Sequence, residues 1–232
     1  MDTFADLIQA VQDDQTVGSE STLYNLPLIK RVINRAYRKA GGLVFWPELQ
    51  DAKKTSTEAN QEYYDYPVNW RPNSVWKLVI DSVDYGDPLV FKDYLYEKEN
   101  SLPSGLQKMW TNQWRRYFIY PIPTANGSQN IEVYGQKVVD VLSADGDVTI
   151  FSYSMPDCNE AIVLEAVAML KAKGDEEKEG EFRSAEAKGI LLLAWNRIAR
   201  DQAKYEKTQP FFEVPDLFRG NGRSPQNTGR FN

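Results

Sequence analysis

The sequence contains no histidine and a single cysteine, and these two shortages remove much of the chemistry that enzymes use. Without histidine, neither a Ser-His-Asp nor a Cys-His catalytic arrangement is possible, and the histidine ligands of common zinc sites are missing. One thiol cannot form an internal disulfide. Cys158 lies just inside a predicted helix start, where a reactive role is conceivable, but a small residue on a helix face is the simpler interpretation. We therefore expect no catalytic residue, no metal and no cofactor.

Long apolar runs and a basic excess are lacking as well. No apolar run approaches the roughly 20 residues of a membrane-spanning helix, and the first residues lack the pattern of a signal peptide. The 27 Lys and Arg residues are outnumbered by 33 Asp and Glu residues, and the net charge of −6 argues against a dedicated duplex-DNA binder. This charge does not exclude a protein that surrounds DNA. Abundant carboxylates leave an Asp- or Glu-dependent hydrolase open, but no pair stands out.

Helical periodicity is present at both ends of the chain, with two predicted helices in each place. The first covers about residues 3–14 and begins with a Thr3-x-x-Asp6 capping box. The second begins near Asn25, and Gly41-Gly42 is expected to end it. Their apolar residues recur at helical spacing, so we expect both helices to pack one face against a core.

The third and fourth predicted helices follow one another closely. The third opens at Pro156-Asp157 and is apolar almost all round, which is typical of a helix buried on several sides. The fourth runs from Asp175 to about Glu206, and so short a connection predicts an antiparallel helical hairpin. One face of the fourth helix carries Phe182, Ala185, Gly189, Leu192, Leu193, Asn196 and Ala199, and is widened by Leu191, Trp195 and Ile198.

The middle of the chain, residues 45–155, is rich in proline, tyrosine and tryptophan and loses the helical period. Strands are predicted over residues 75–81, 89–91, 109–110, 114–120 and 131–138, with turns over 84–87 and 111–113. The predicted fold class is α+β: an antiparallel bundle of about four helices with an inserted small antiparallel β-sheet and an extended C-terminal arm. Its parts are residues 1–48 and 156–207 for the two halves of the bundle, 49–155 for the insertion and 208–232 for the arm.

The C-terminal arm combines chain breakers with spaced apolar residues. Prolines and glycines recur too often for a regular element, whereas a solvated tail would need no aromatic residues. Such a segment typically orders when it meets a partner, and a frayed terminus is the alternative interpretation. The predicted docking residues are Phe211, Phe212, Val214, Leu217, Phe218, Arg219, Arg223, Arg230 and Phe231.

Cations and tryptophans provide two further kinds of candidate. The second helix carries a basic cluster that is either a solvated face or a face for an acidic partner or a nucleic-acid backbone; its residues are Lys30, Arg31, Arg35, Arg38 and Lys39. The candidates for such contacts, at a subunit interface or on a surface that lines a lumen, are Lys30, Arg31, Arg35, Arg38, Arg115 and Arg116. Trp70, Trp76, Trp110 and Trp114 would suit a sugar-stacking sheet, although aromatic residues on strands more often form a core or an interface.

Four short motifs, taken in order, carry a resemblance to a known family. They are Ile33-Asn34-Arg35-Ala36-Tyr37-Arg38-Lys39 followed by Trp46-Pro47-Glu48-Leu49; Tyr63-Tyr64-Asp65-Tyr66-Pro67; Tyr120-Pro121-Ile122-Pro123; and Met155-Pro156-Asp157 before Ile162-Val163-Leu164-Glu165-Ala166. In this order they resemble the adaptor proteins of tailed-phage head-to-tail connectors, over about residues 4–218. The sequence has Tyr-Asp-Tyr-Pro where that family often has a Tyr-x-Leu-Pro-like turn.

The resemblance implies a non-enzymatic structural protein of the virion, assembled in the host cytoplasm and located at the head-to-tail interface. It implies a ring of about twelve copies, a dodecamer, that joins the portal protein to the tail machinery. The arm would dock on the portal, and the β-rich part would face the next tail component, a nozzle or stopper protein. Double-stranded DNA would pass through the lumen during retention and ejection without sequence-specific binding, and no membrane would be involved. The alternative is a monomeric carbohydrate- or protein-binding module that uses the aromatic-rich sheet.

Overall fold

The structure is a computed structural model that describes residues 2–14, 24–100, 108–172 and 177–205, the last four of these by their backbone alone. Residues 1–194 form one compact unit, and the described part of the second unit, residues 195–205, is the end of the last helix. Within these ranges the fold is α+β, with five helices and two small antiparallel sheets. The predicted fold class is therefore confirmed.

Along the described chain, helices come first and last, and the strands lie between them together with one further helix. In chain order they are α1 (Phe4–Asp13), α2 (Leu26–Leu43), a 3-10 turn (Pro47–Leu49), β1 (Gln50–Thr55), β2 (Tyr63–Asp65), β3 (Lys77–Ile80), β4 (Val83–Asp84), α3 (Phe91–Asn100), β5 (Met109–Gln113), β6 (Arg116–Tyr120), β7 (Ile131–Gln136), α4 (Asp157–Lys171) and α5 (Glu177–Tyr205). Helices α1, α2 and α4 contact one another.

The start of α1 shows how local sequence fixes a helix end. The backbone N–H of Asp6 donates to the Thr3 hydroxyl at 3.3 Å, and the Asp6 carboxylate accepts from the Thr3 backbone N–H at 2.8 Å. Both bonds satisfy amide groups that have no partner inside the helix. The predicted capping box is confirmed, and the bond that the Asp6 carboxylate accepts from the Thr3 backbone N–H lowers the pKa of Asp6.

The end of α2 differs from the prediction. Gly41 and Gly42 lie inside the helix, which continues to Leu43. A Cβ atom on Gly41 would lie only 2.3 Å from a methyl group of Val139, so glycine is required here for close packing against the segment after β7. The prediction that the two glycines end the helix is wrong, because Gly41 serves a tertiary contact inside it, whereas an added Cβ atom on Gly42 would meet nothing within 4 Å.

Helices α4 and α5 form the predicted antiparallel pair. Glu165 lies beside Ser184, the carbonyl group of Ala168 lies beside Gly180, and Lys171 pairs with Glu179. These contacts run in opposite directions along the two helices. The inward face of α5 in the first unit is made by Gly180, Ala187 and Leu191, whereas Phe182 and Leu193 are exposed.

The strands form two sheets where the sequence predicted one. The first has the order β1-β7-β3-β4, and the second has the order β2-β6-β5. In the first sheet Val79 is paired with Glu132 of β7 and with Asp84 of β4; in the second, Tyr117 is paired with Tyr64 of β2 and with Asn112 of β5. The two sheets share an apolar core that includes Trp70, Trp110, Tyr117, Ile119, Ile131 and Val133.

Two predicted connections within the β-rich region are wrong. Strand β3 turns at Asp81 and Ser82, both with positive φ, and pairs with β4; such a turn matches the twist of a hairpin. The segment predicted as a strand over residues 89–91 instead leads into α3, which buries Tyr94. Residues 111–113 belong to β5, and the chain turns at Trp114-Arg115.

Candidate partner-binding surfaces

The residues predicted to form the docking arm, from Phe211 to Phe231, lie outside the described residues. Their role therefore stays a prediction from the sequence. The structure does place the six cations that were singled out, and it separates them into groups with different surroundings.

Three of these cations form an exposed stripe on α2. Arg31, Arg35 and Arg38 are spaced at i, i+4 and i+7, so they lie on one side of the helix, and each is exposed. Within the described ranges none of them makes an ion pair or a side-chain hydrogen bond. We call these three residues the arginine stripe. An unpaired cationic face of this kind can meet an anionic surface.

The lysines that flank the arginine stripe are used within the chain. Lys30 pairs with Asp145 at 3.1 Å. Lys39 pairs with Glu165 at 2.5 Å, and that carboxylate also accepts a hydrogen bond from Ser184 at 2.7 Å. The sequence presented Lys30 to Lys39 as one basic cluster, but only its middle faces outward without a partner in the described structure.

Arg115 and Arg116 point in different directions. The guanidinium of Arg115 donates to the carbonyl oxygens of Pro67, Val68 and Trp70 at 3.0, 2.9 and 3.2 Å, so it holds that loop against the hairpin turn. Arg116 is exposed and donates to Asp65 at 2.8 Å, a contact that raises the pKa of Arg116. Alternation along a strand predicted that one of the pair faces outward, but not which one.

The tryptophans of the β-rich region do not form one exposed face. Trp70 and Trp110 are fully buried, and the indole N–H of Trp110 donates to the carbonyl oxygen of Gly86 at 2.7 Å. A sugar cannot stack on either ring. Trp114 is different: it stands at the β5–β6 turn with φ of 59° and is 73% exposed.

Trp114 belongs to a surface that we call the hairpin-end surface, defined by Val68, Trp114 and Arg116. Val68 is 92% exposed, and all three residues line an open depression of about 820 Å³. The backbone N–H of Asn73 donates to the carbonyl oxygen of Trp114 at 2.8 Å, so the turn is tied to the neighbouring loop. Exposed tryptophan and arginine on a firmly held turn are typical of protein–protein contacts.

A third surface lies on α5, and sequence reasoning missed its exposure. Phe182, Ala185, Gly189 and Leu193 are spaced at i, i+3, i+7 and i+11 along one side of the helix; we call them the α5 stripe. Phe182 is 71% and Leu193 is 68% exposed. The periodicity of these residues was visible in the sequence, but it could not tell an outward apolar stripe from an inward one.

Neither a metal centre nor a membrane segment is found in the described part of the chain. No group of three or more His, Cys, Asp or Glu residues in those ranges is arranged to hold a metal ion. Among the same residues, no helix has both the length and the apolar character needed to cross a bilayer.

An α+β scaffold that exposes separate cationic, aromatic and apolar surfaces is typical of a protein that acts by contacting other proteins. The family model described as SU10 adaptor protein matches residues 2–211. No curated protein matches the chain. The chain belongs to the SU10 adaptor protein family, so it is a phage adaptor protein and a structural component of the virion. The resemblance to head-to-tail adaptors is therefore confirmed.

Proposed function

We propose that this chain is one subunit of a ring in the head-to-tail connector, where about twelve copies join the portal protein to the tail machinery. The observation that carries the proposal is the match between residues 2–211 of this chain and the family model described as SU10 adaptor protein. It is supported by three separate exposed surfaces, since a ring subunit has neighbours on several sides. Double-stranded DNA passes through the lumen, and the net charge of −6 fits passage better than tight binding.

The portal side of the ring is assigned to the arm. The matched residues end at 211, so this assignment depends on the aromatic and arginine pattern between Phe211 and Phe231. Aromatic residues and arginines are the side chains that most often dominate binding energy at protein interfaces. A ring repeats each arm contact, and therefore a modest affinity for each copy suffices for a stable joint.

The tail side of the ring is assigned to the hairpin-end surface. Trp114 is exposed but held in place by the neighbouring backbone, and the three hydrogen bonds of Arg115 fix the loop that carries Val68. A surface that is already ordered loses little entropy when it binds. We therefore assign this surface to contact with the nozzle or stopper protein.

Co-sedimentation of the full chain with the portal encoded by the same phage tests the arm. Replacing Phe211, Phe212 and Phe218 together with serine should abolish joining, because the apolar anchors are lost. Tyr153→Ser, which changes an exposed aromatic residue outside the arm, should leave joining intact. Unchanged joining by the triple variant would contradict the role of the arm. Failure of the unmodified chain to join would contradict the connector function itself.

A further inference from the structure

The outer face of α5 is apolar, and no helix or strand of the described structure covers it. The inward side of α5 is buried and carries Gly180, Ala187 and Leu191. The outer side carries Phe182 and Leu193, which are 71% and 68% exposed. Large apolar side chains aligned on one helix face indicate contact with another protein. Between them, an added Cβ atom on Gly189 would meet nothing within 4 Å, so the backbone of a second helix has room to approach.

Acidic residues flank the α5 stripe. Glu181 and Glu186 are exposed, and neither forms an ion pair within the described ranges. Glu186 lies one helical turn from Phe182, so a carboxylate and an aromatic ring are adjacent on this surface. The exposed Lys178 lies one turn before Phe182, so the acidic character belongs to the turn from Phe182 to Glu186. A partner that fits this turn brings a cation together with aliphatic surface.

The arginine stripe of α2 has this chemistry. Arginine side chains cover apolar surface with their stems, stack their guanidinium groups on aromatic rings and bind carboxylates in pairs of hydrogen bonds. Arg31 and Arg35 are four residues apart, as are Phe182 and Glu186, so the two pairs have the same spacing along their helices. Within one molecule α2 approaches α5 through Lys39, which lies 3.5 Å from Ser184, so the arginine stripe is left for another molecule.

We infer that the α5 stripe of one copy packs against the arginine stripe of a second copy, with Arg35 facing Phe182 and Glu186. The inference rests on the proposed ring. The two stripes belong to different helices, so the contact is head-to-tail, which is the kind of interface that closes into a ring. Each copy uses its α5 stripe toward one neighbour and its arginine stripe toward the other.

Charge reversal tests this pairing, because every copy in the assembly carries the change. Arg35→Glu and Glu186→Arg should each reduce the fraction of the full chain assembled on the portal by about tenfold or more. The double variant, Arg35→Glu with Glu186→Arg, should recover most of the assembly. Lys53→Glu makes the same change of charge at an exposed position on β1 and should have no effect. Circular dichroism checks that each variant is folded.

A chemical cross-link gives an independent readout. In a variant that combines Arg35→Cys with Glu186→Cys, a short thiol-specific cross-linker should join neighbouring copies in assemblies on the portal. Assemblies that survive both single reversals, or that give no such cross-link, would overturn the interface and leave the connector function standing. A loss in Arg35→Glu that Glu186→Arg does not restore would assign the arginines to DNA and overturn the pairing. Absence of any assembly by the unmodified chain would overturn the connector function, and the interface with it.

Discussion

Lys39 of α2 and Glu165 of α4 form an ion pair at 2.5 Å. The Glu165 carboxylate is nearly buried, with 8% of the residue exposed, and it also accepts from Ser184 of α5 at 2.7 Å. One side chain therefore connects three helices. Because a buried polar group depends on its partners, loss of this carboxylate should weaken the bundle more than loss of an exposed ion pair would.

Glu165→Ala should lower the free energy of unfolding by about 1–3 kcal/mol, because Lys39 and Ser184 lose their shared acceptor. Glu165→Gln keeps an acceptor for Ser184 but removes the charge, so its loss should be smaller. Chemical denaturation followed by circular dichroism measures both changes. An unfolding midpoint that is the same for Glu165→Ala and the unmodified chain would contradict the role given to this residue.

Two glycines of α5 provide a matched pair. A Cβ atom at Gly189 meets no neighbour within 4 Å, so Gly189→Ala should raise the free energy of unfolding by about 0.5–1 kcal/mol through the helix propensity of alanine. A Cβ atom at Gly180 lies 3.0 Å from the carbonyl oxygen of Ala168, so Gly180→Ala should not give this gain. Thermal unfolding compares the two, and equal stabilisation would show that α4 and α5 are not closely packed at Gly180.

Tyr117 and Tyr66 form a second matched pair in the core of the β-rich region. The Tyr117 hydroxyl is buried and has no hydrogen-bond partner among the described residues, whereas the Tyr66 hydroxyl donates to Asn112 at 2.5 Å. Tyr117→Phe should therefore leave stability unchanged or raise it, while Tyr66→Phe should cost about 1 kcal/mol. Urea unfolding gives both values. A larger loss for Tyr117→Phe than for Tyr66→Phe would contradict this description of the core.

Asp147 predicts a specific loss of stability in acid. Its carboxylate accepts from the backbone N–H groups of Ser143 and Ala144 at 2.6 and 2.8 Å, and these bonds hold the pKa of Asp147 below its ordinary value of 3.8. Because the folded pKa is the lower one, the stabilisation is complete above pH 3.8 and is lost as the pH falls through the folded pKa. Asp147→Asn should flatten this part of the profile of unfolding free energy against pH. If the Asp147→Asn variant loses stability in acid just as the unmodified chain does, Asp147 is not a source of that loss.

The features that could be predicted from the sequence are those fixed by neighbouring residues. The Thr3 and Asp6 capping box needs only a spacing of three, and the apolar character of α4 is visible in one continuous segment. The hairpin turn at Asp81-Ser82 was missed because neither residue is a glycine, although both have positive φ. Here the pairing of β3 with β4 and β7 outweighs the local preference.

The candidate surfaces were only partly predictable, because exposure is decided by the packing of the whole unit. The spacing of Arg31, Arg35 and Arg38 predicted a shared face, and the structure shows that the flanking lysines pair within the chain. Helix α5 carries apolar residues on two sides. The periodicity of these residues does not reveal which side packs against α4 and which side is exposed. In the structure the side that carries Gly180 packs against α4, because the absence of a side chain there lets the two helices approach closely.

Negative-stain imaging of the full chain mixed with the portal from the same phage tests the central claim most directly. If the chain is a connector subunit, a cap of regularly spaced subunits should cover one end of the portal, and the image would give the number of copies. A chain that stays a lone monomer beside unoccupied portals would contradict the connector function.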